Sequence, residues 1–341
     1  MMLARLPALV PALAVSIGLA AQAADTPTPP MNFLQAFGDK ASVIASLTWA
    51  MLILSIVVVV VVTALTVVGV LKRRTTVDAA GARFEPILRP SGDLSWITIG
   101  VSISTLALLG GMVWNAYTMA AIDKPPRDPA LTIRVIAHQW WWEYRYRTEA
   151  PSESFQTANE AHIPLGEPVR VEVESTDVIH SFWAPALGDK IDVIPGQTNR
   201  TWFEANTPGV YRGQCSEYCG KQHAHMGIVI VAESPEQFRS WRDAQLQTAA
   251  SMNSAGEALF VARCGACHTV RGTRAWGMLG PDLTHLMSRA GIAANTLPNT
   301  PANLSGWIAD PQRIKPGAKM PMLALSAPEL SVIRDYLETL K

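Results

Sequence analysis

No charged residue lies between Lys40 and Lys72, and residues 47–71 are almost all Leu, Ile, Val, Ala, Thr and similar apolar or small types. A hydrocarbon core of ~30 Å takes about 20 such residues in a helix to cross, so this segment reads as a membrane span. A second uncharged block, residues 94–122, is also long enough to cross. Together they predict a transmembrane helical hairpin over residues 39–122. The loop between them carries Lys72, Arg73, Arg74, Arg83 and Arg89 against Asp78, Glu85 and Asp93. An excess of cations marks the cytoplasmic side, so the rest of the chain is expected outside.

The N-terminus agrees with that orientation. Residues 1–23 read as a signal peptide, with Arg5, an apolar stretch interrupted by Pro7 and Pro11, and the small-residue pattern Ala21-Gln22-Ala23. An uncleaved anchor is the alternative. The chain of 341 residues leaves room for two soluble domains beyond the hairpin. Basic and acidic residues balance at 28 each, so no global field favours nucleic acid.

After Pro125-Pro126 the pattern changes to period two. Leu131, Ile133, Val135 and Ala137 alternate with polar residues, as do Val169, Val171 and Val173; residues 201–205 and 227–231 are further strand candidates. Short strands punctuated by Pro and Gly predict a beta sandwich over residues 124–232. Inside it, Cys215 and Cys219 share one short loop, followed by His223 and Met226, with His180 earlier. Two thiolates, two imidazoles and a thioether form a soft donor set that favours copper over magnesium or calcium. A thiol pair in one loop can bridge two metal ions, each completed by one His and one weak axial donor. A local disulfide and a structural zinc site are the alternatives, although zinc has no use for Met226.

These stretches resemble cytochrome c oxidase subunit II: His180-Ser181-Phe182-Trp183-Ala184-Pro185, Leu187-Gly188-Asp189-Lys190-Ile191-Asp192, and Gly213-Gln214-Cys215-Ser216-Glu217-Tyr218-Cys219-Gly220 with His223 and Met226. The resemblance implies a cupredoxin-like sandwich holding the dinuclear copper A centre. Cys215 and Cys219 would bridge the coppers, and His180, His223 and Met226 would ligate through their side chains. Glu217 would ligate through its main-chain carbonyl, with its carboxylate toward a magnesium ion at the contact with subunit I. By the same resemblance Trp140, first ring of the run Trp140-Trp141-Trp142-Glu143-Tyr144, is the surface residue where electrons enter. Asp93 stands where many members place a Glu at the mouth of a proton path; an ordinary helix cap is the alternative. His138, His162 and His225 read as ordinary polar residues, His162 in a loop.

Residues 233–253 read as a helix and a short polar joint. Beyond them, over residues 254–341, Cys264-Gly265-Ala266-Cys267-His268 is the pattern of covalent haem c attachment, with His268 placed to ligate iron. A zinc half-site or a redox dithiol is the alternative. Met320 resembles the axial Met of small class I cytochromes c, with Met322 the nearest competitor. Gly280-Pro281-Asp282-Leu283 fits the segment beside the haem, and an all-alpha cytochrome c domain is expected.

The fold class expected is therefore a multidomain membrane protein of hairpin, cupredoxin-like sandwich and cytochrome c domain. The resemblance implies a subunit of a proton-translocating oxidase in a bacterial inner membrane, its soluble domains periplasmic. Electrons would pass from cytochrome c or a similar donor through haem c and copper A to subunit I, which holds the oxygen-reducing site. A subunit feeding a nitric-oxide reductase and a free-standing tethered carrier are the other readings.

Overall fold

The computed structural model describes residues 31, 33–72, 95–148, 153–249 and 254–341. The expected signal peptide of residues 1–23, most of the loop between the expected spans including Asp93, and residues 250–253 of the expected joint lie outside them.

Helix α1 runs Asp39–Leu71 and helix α2 Trp96–Ile122, with Ser95 capping α2 by accepting the Thr98 amide. Both are long and apolar enough to cross a membrane. At 1.5 Å per residue the 33 residues of α1 span ~50 Å, well beyond a ~30 Å core. The surplus is its N-terminal end, which packs on the sandwich. Lys40 is 3% exposed there, its ammonium bonded to Asp189 at 2.5 Å and to Thr201 at 2.6 Å. A Cβ on Gly38 would fall 1.8 Å from the Glu204 carbonyl, so only glycine lets the chain enter the helix this close to the domain. At the other end Trp202 donates to the Ile122 carbonyl of α2 over 2.9 Å. Both spans are thus seated on the soluble domain rather than loosely tethered to it.

The sandwich is built from β1 (Leu131–His138), β2 (Trp141–Arg147), β3 (Phe155–Ala158), β4 (Glu160–Pro164), β5 (Val169–Ser175), β6 (His180–Phe182), β7 (Ile191–Val193), β8 (Asn199–Phe203), β9 (Gly209–Gln214) and β10 (Gly227–Glu233). One sheet has the order β3-β2-β1-β5-β8, with β1 and β5 parallel; a second has β4-β10-β9; and β6 pairs with β7. Alternation sorts the aromatic run. Trp142, Tyr144 and Tyr146 point inward and are almost wholly buried with Val169, Val171 and Val173, whereas Trp141 faces outward and stacks on His138.

The sandwich leads into α3 (Pro235–Gln245), opened by a capping box between Ser234 and Gln237. Trp241 of α3 stacks on His162, which lies on β4 and not in a loop, and His162 also bonds Glu233 at 2.9 Å. The C-terminal region holds α4 (Ser254–Arg263), α5 (Pro301–Ala309), α6 (Pro311–Ile314) and α7 (Ala327–Leu337). Its separate core gathers Phe260, Leu304, Ile308, Ile333, Tyr336 and Leu337. It is mainly helical, with two very short strand pairs in its loops.

Candidate metal and haem sites

The copper candidates converge at one end of the sandwich. His180 opens β6, Cys215 follows β9, and Met226 immediately precedes β10. The Cys215 amide donates to the Met226 carbonyl over 3.1 Å, which closes the loop between them. The Ser216 amide bonds the Ser181 carbonyl and the Gln214 amide the Trp183 carbonyl, so the loop is stitched to the His180 strand. Gly213 permits that approach, since a Cβ there would lie 2.2 Å from the Trp183 carbonyl.

Within this frame the Cys215 and Cys219 sulfurs are 3.8 Å apart, free thiols rather than a disulfide. His180 Nδ1 lies 3.9 Å from Cys215 Sγ, and His223 Nδ1 lies 3.6 Å from Cys219 Sγ. Met226 Sδ is 3.9 Å from Cys219 Sγ, and the Glu217 carbonyl is 3.3 Å from Cys215 Sγ. Each sulfur therefore has its own imidazole and its own weak donor. Donor atoms of His180, Cys215 and Cys219 all fall within 4.8 Å of one another, the spacing of a metal cluster. A single zinc ion would leave part of this set unused. The set fits a pair of soft-metal ions bridged by the two sulfurs.

Electrostatics prepares the site. The Cys215 thiol is held well below the usual thiol range, first by its hydrogen bond with Cys219, then by those with His180 and the Ser181 and Glu217 backbone, against the effect of burial. Its thiolate in turn pushes the Cys219 proton on more tightly, as expected when two thiols share one loop. Burial raises the Asp177 carboxyl, but bonds with His180 and the Gln139 and Val178 amides outweigh it and hold it well below the usual range. Asp177 Oδ1 accepts from His180 Nε2 at 2.9 Å, which leaves Nδ1 as the lone-pair nitrogen facing Cys215. Nothing in the residue pattern had singled out Asp177; only its position three residues before His180 hinted at it.

Three other residues behave differently from one another. Glu217 is exposed, so its carboxylate is open to a partner. His225 bonds Gln222 at 2.7 Å and stands outside the donor set. Trp140 departs from the expectation of an open surface ring: it is only 8% exposed. Its indole donates to the Cys219 carbonyl at 2.9 Å, and Gly317 of the C-terminal region lies beside the ring, where an added Cβ would come within 3.5 Å of it. The sequence of one domain could not reveal that the next would sit on it.

In the C-terminal region, Cys264, Cys267 and His268 follow α4, with both cysteines free. Burial pushes the Cys264 thiol up to about 11 and the His268 imidazole down, so a neutral ring is favoured. His268 Nδ1 bonds the Pro281 carbonyl at 2.8 Å, which directs Nε2 away as the available ligand nitrogen. A Cβ on Gly280 would lie 2.6 Å from the imidazole, so the Gly-Pro turn is shaped around the ring. These features fit a haem attached at the two sulfurs. Met320 is half-buried, its carbonyl held by Gln312 at 2.8 Å, whereas Met322 is 58% exposed.

Comparison with known proteins finds a family profile for the periplasmic domain of cytochrome c oxidase subunit II over residues 148–233, and one for cytochrome c over residues 254–341. Cytochrome c oxidase subunit 2 of Alkalihalophilus pseudofirmus is 34% identical over 257 residues, which cover 73% of each chain. The solved periplasmic domain of cytochrome oxidase subunit II from Bradyrhizobium japonicum is 38% identical; the match covers 35% of this chain and 95% of that one, with a TM-score of 0.33. A chain of a haem-copper terminal oxidase dimer is 21% identical over 40% of this chain and 99% of that one, at a TM-score of 0.32.

Proposed function

The chain belongs to the cytochrome c oxidase subunit II family, and from that premise we propose that it takes electrons from a donor and delivers them to subunit I of a haem-copper oxidase in a bacterial inner membrane. A dinuclear copper A centre and a covalently held haem c would supply single-electron chemistry, which needs no substrate pocket in this chain. Oxygen reduction and proton translocation then belong to subunit I.

The observation that carries this reading is the pairing at the thiol loop. Each of two sulfurs 3.8 Å apart has its own imidazole and its own weak donor. The protein's own share is positional. Cys215, Cys219, His180, His223, Met226 and the Glu217 carbonyl would hold the coppers, with Asp177 fixing the His180 ring. Cys264 and Cys267 would bind the porphyrin, and His268 and Met320 the iron. Trp140 would carry electrons from the haem domain toward Cys219 rather than receive a soluble partner directly. The exposed Glu217 carboxylate would meet magnesium at the subunit I contact, and Asp93 would open a proton path.

Purifying the complex through this chain and measuring gas consumption tests the proposal. Uptake of oxygen with reduced cytochrome c as donor is expected. Uptake of nitric oxide alone would instead assign the chain to a nitric-oxide reductase, and isolation without any other integral subunit would make it a free-standing carrier.

A further inference from the structure

Lys315 is 3% exposed and lies in the C-terminal domain, just after α6. Its ammonium donates to three backbone carbonyls: Trp140 at 2.6 Å, His225 at 2.7 Å and Ala293 at 3.1 Å. An ammonium has three donors, and all three are used. Two of the acceptors belong to the sandwich. One is the residue whose indole bonds the Cys219 carbonyl; the other directly precedes Met226. Burial pushes this cation's pKa down to about 7, so its place is unfavourable unless those carbonyls compensate.

The third acceptor opens an unusual turn. Ala293, Ala294 and Asn295 have φ of 52°, 57° and 61°, three successive non-glycine residues in the left-handed region. Two of them bond the sandwich directly, the Ala294 carbonyl with the Gly227 amide at 3.3 Å and the Asn295 side chain with the Asn159 carbonyl at 2.9 Å, while the Ala293 carbonyl accepts from Lys315 within its own domain. Strained backbone persists where its surroundings over-determine it, and here the surroundings are the neighbouring domain. The residues after Lys315 continue across the thiol loop. Gln222 donates to the Pro316 carbonyl at 2.9 Å, and Lys319 bonds Asp177, the carboxylate that fixes His180, at 3.1 Å.

We propose that Lys315 is a positioning residue that locks the C-terminal domain in one pose over Trp140 and the thiol loop, so that electrons cross between the domains from a fixed geometry and not from a swinging tether. This rests on the reading that both domains carry redox groups. It assigns them a rigid junction, and it closes Trp140 to any soluble partner.

The test uses the metal- and haem-loaded full chain with K315M, at about pH 6 so that the native ammonium is charged. The amides of Gly227 and Ala290 report docking directly, because each bonds across the junction, to Ala294 and to Glu160. Hydrogen exchange at both should be at least about tenfold faster in K315M, while strand amides within β1 and β5 stay protected. Haem-to-copper electron transfer, triggered by a flash, should be independent of solvent viscosity in the native chain. In K315M it should slow about tenfold and become viscosity-dependent, with both optical spectra unchanged. Native exchange at both amides together with a native, viscosity-independent rate in K315M would overturn the proposal. If K315M does not take up both chromophores, N295A serves in its place: faster exchange at Gly227 supports the lock, and native exchange there overturns it. Native protein without the copper or haem spectrum would instead sink the functional reading, so the two failures are distinguishable.

Discussion

The indole nitrogen of Trp140 donates to the Cys219 carbonyl over 2.9 Å, tying the first ring of the aromatic run to the loop that carries both sandwich thiols. A ring in that place supports the loop, and because the Trp140 carbonyl accepts from Lys315 it also links the loop to the C-terminal domain.

Trp140→Phe keeps the ring and deletes the donor. The loss is expected to cost about 1 kcal/mol of stability and to slow electron transfer between the domains, with copper content unchanged. Flash-triggered kinetics alongside copper analysis checks this; native kinetics would remove Trp140 from the route.

Asp177→Asn should leave His180 in place but unfix its ring. Losing such an outer partner typically weakens metal affinity 10–100-fold, so copper retention against a chelator should fall by about that factor. Because Lys319 shares the same carboxylate, the domain junction should loosen modestly as well.

Met320→Ala should abolish the low-spin optical signature of a His/Met haem, whereas Met322→Ala should leave it intact. The difference follows from burial, since Met322 is 58% exposed. The reverse outcome would exchange the two assignments.

Glu143 gives a prediction for pH. Burial pushes its carboxyl up, but bonds with His138 and Arg145 outweigh this and hold it below the ordinary range. An acid depressed on folding stabilises fully above its unfolded value of about 4.3, and the contribution is lost as pH falls through the lower folded value. Glu143→Gln should therefore lower thermal stability at neutral pH by about 1–2 kcal/mol and flatten the loss seen on acidification. Melts of both proteins from neutral pH down to about pH 3 read this out; parallel acid limbs would contradict it.

The sequence spoke clearly wherever one residue type has few uses. Uncharged runs gave both spans, and the two local thiol pairs with their His and Met neighbours gave the candidate ligands, because soft donors at short spacing have little other purpose. Period two exposed β1 and β5. Less legible was anything set by a distant partner. The α1 helix begins at Asp39, before its most apolar stretch, because Lys40 finds Asp189 and Thr201 on the sandwich. His162 reads as a loop residue until Trp241, from α3, stacks on it. Trp140 reads as a surface ring until the C-terminal domain settles on it, with Lys315 bonded to its carbonyl and Gly317 beside its ring. Basic residues outnumber acidic ones by 9 to 6 over residues 252–341, and acidic outnumber basic by 13 to 10 over residues 124–232, opposite signs that favour docking. Yet the junction consists largely of hydrogen bonds to backbone carbonyls, which leave no mark in composition.

The most direct test of the whole account is copper, iron and haem analysis of the purified chain, combined with intact mass under denaturing conditions. About two copper ions and one haem that survives denaturation are expected per chain. A chain that joins Cys215 to Cys219 by a disulfide, takes up no copper after reduction and reconstitution, and carries no added haem mass would contradict it.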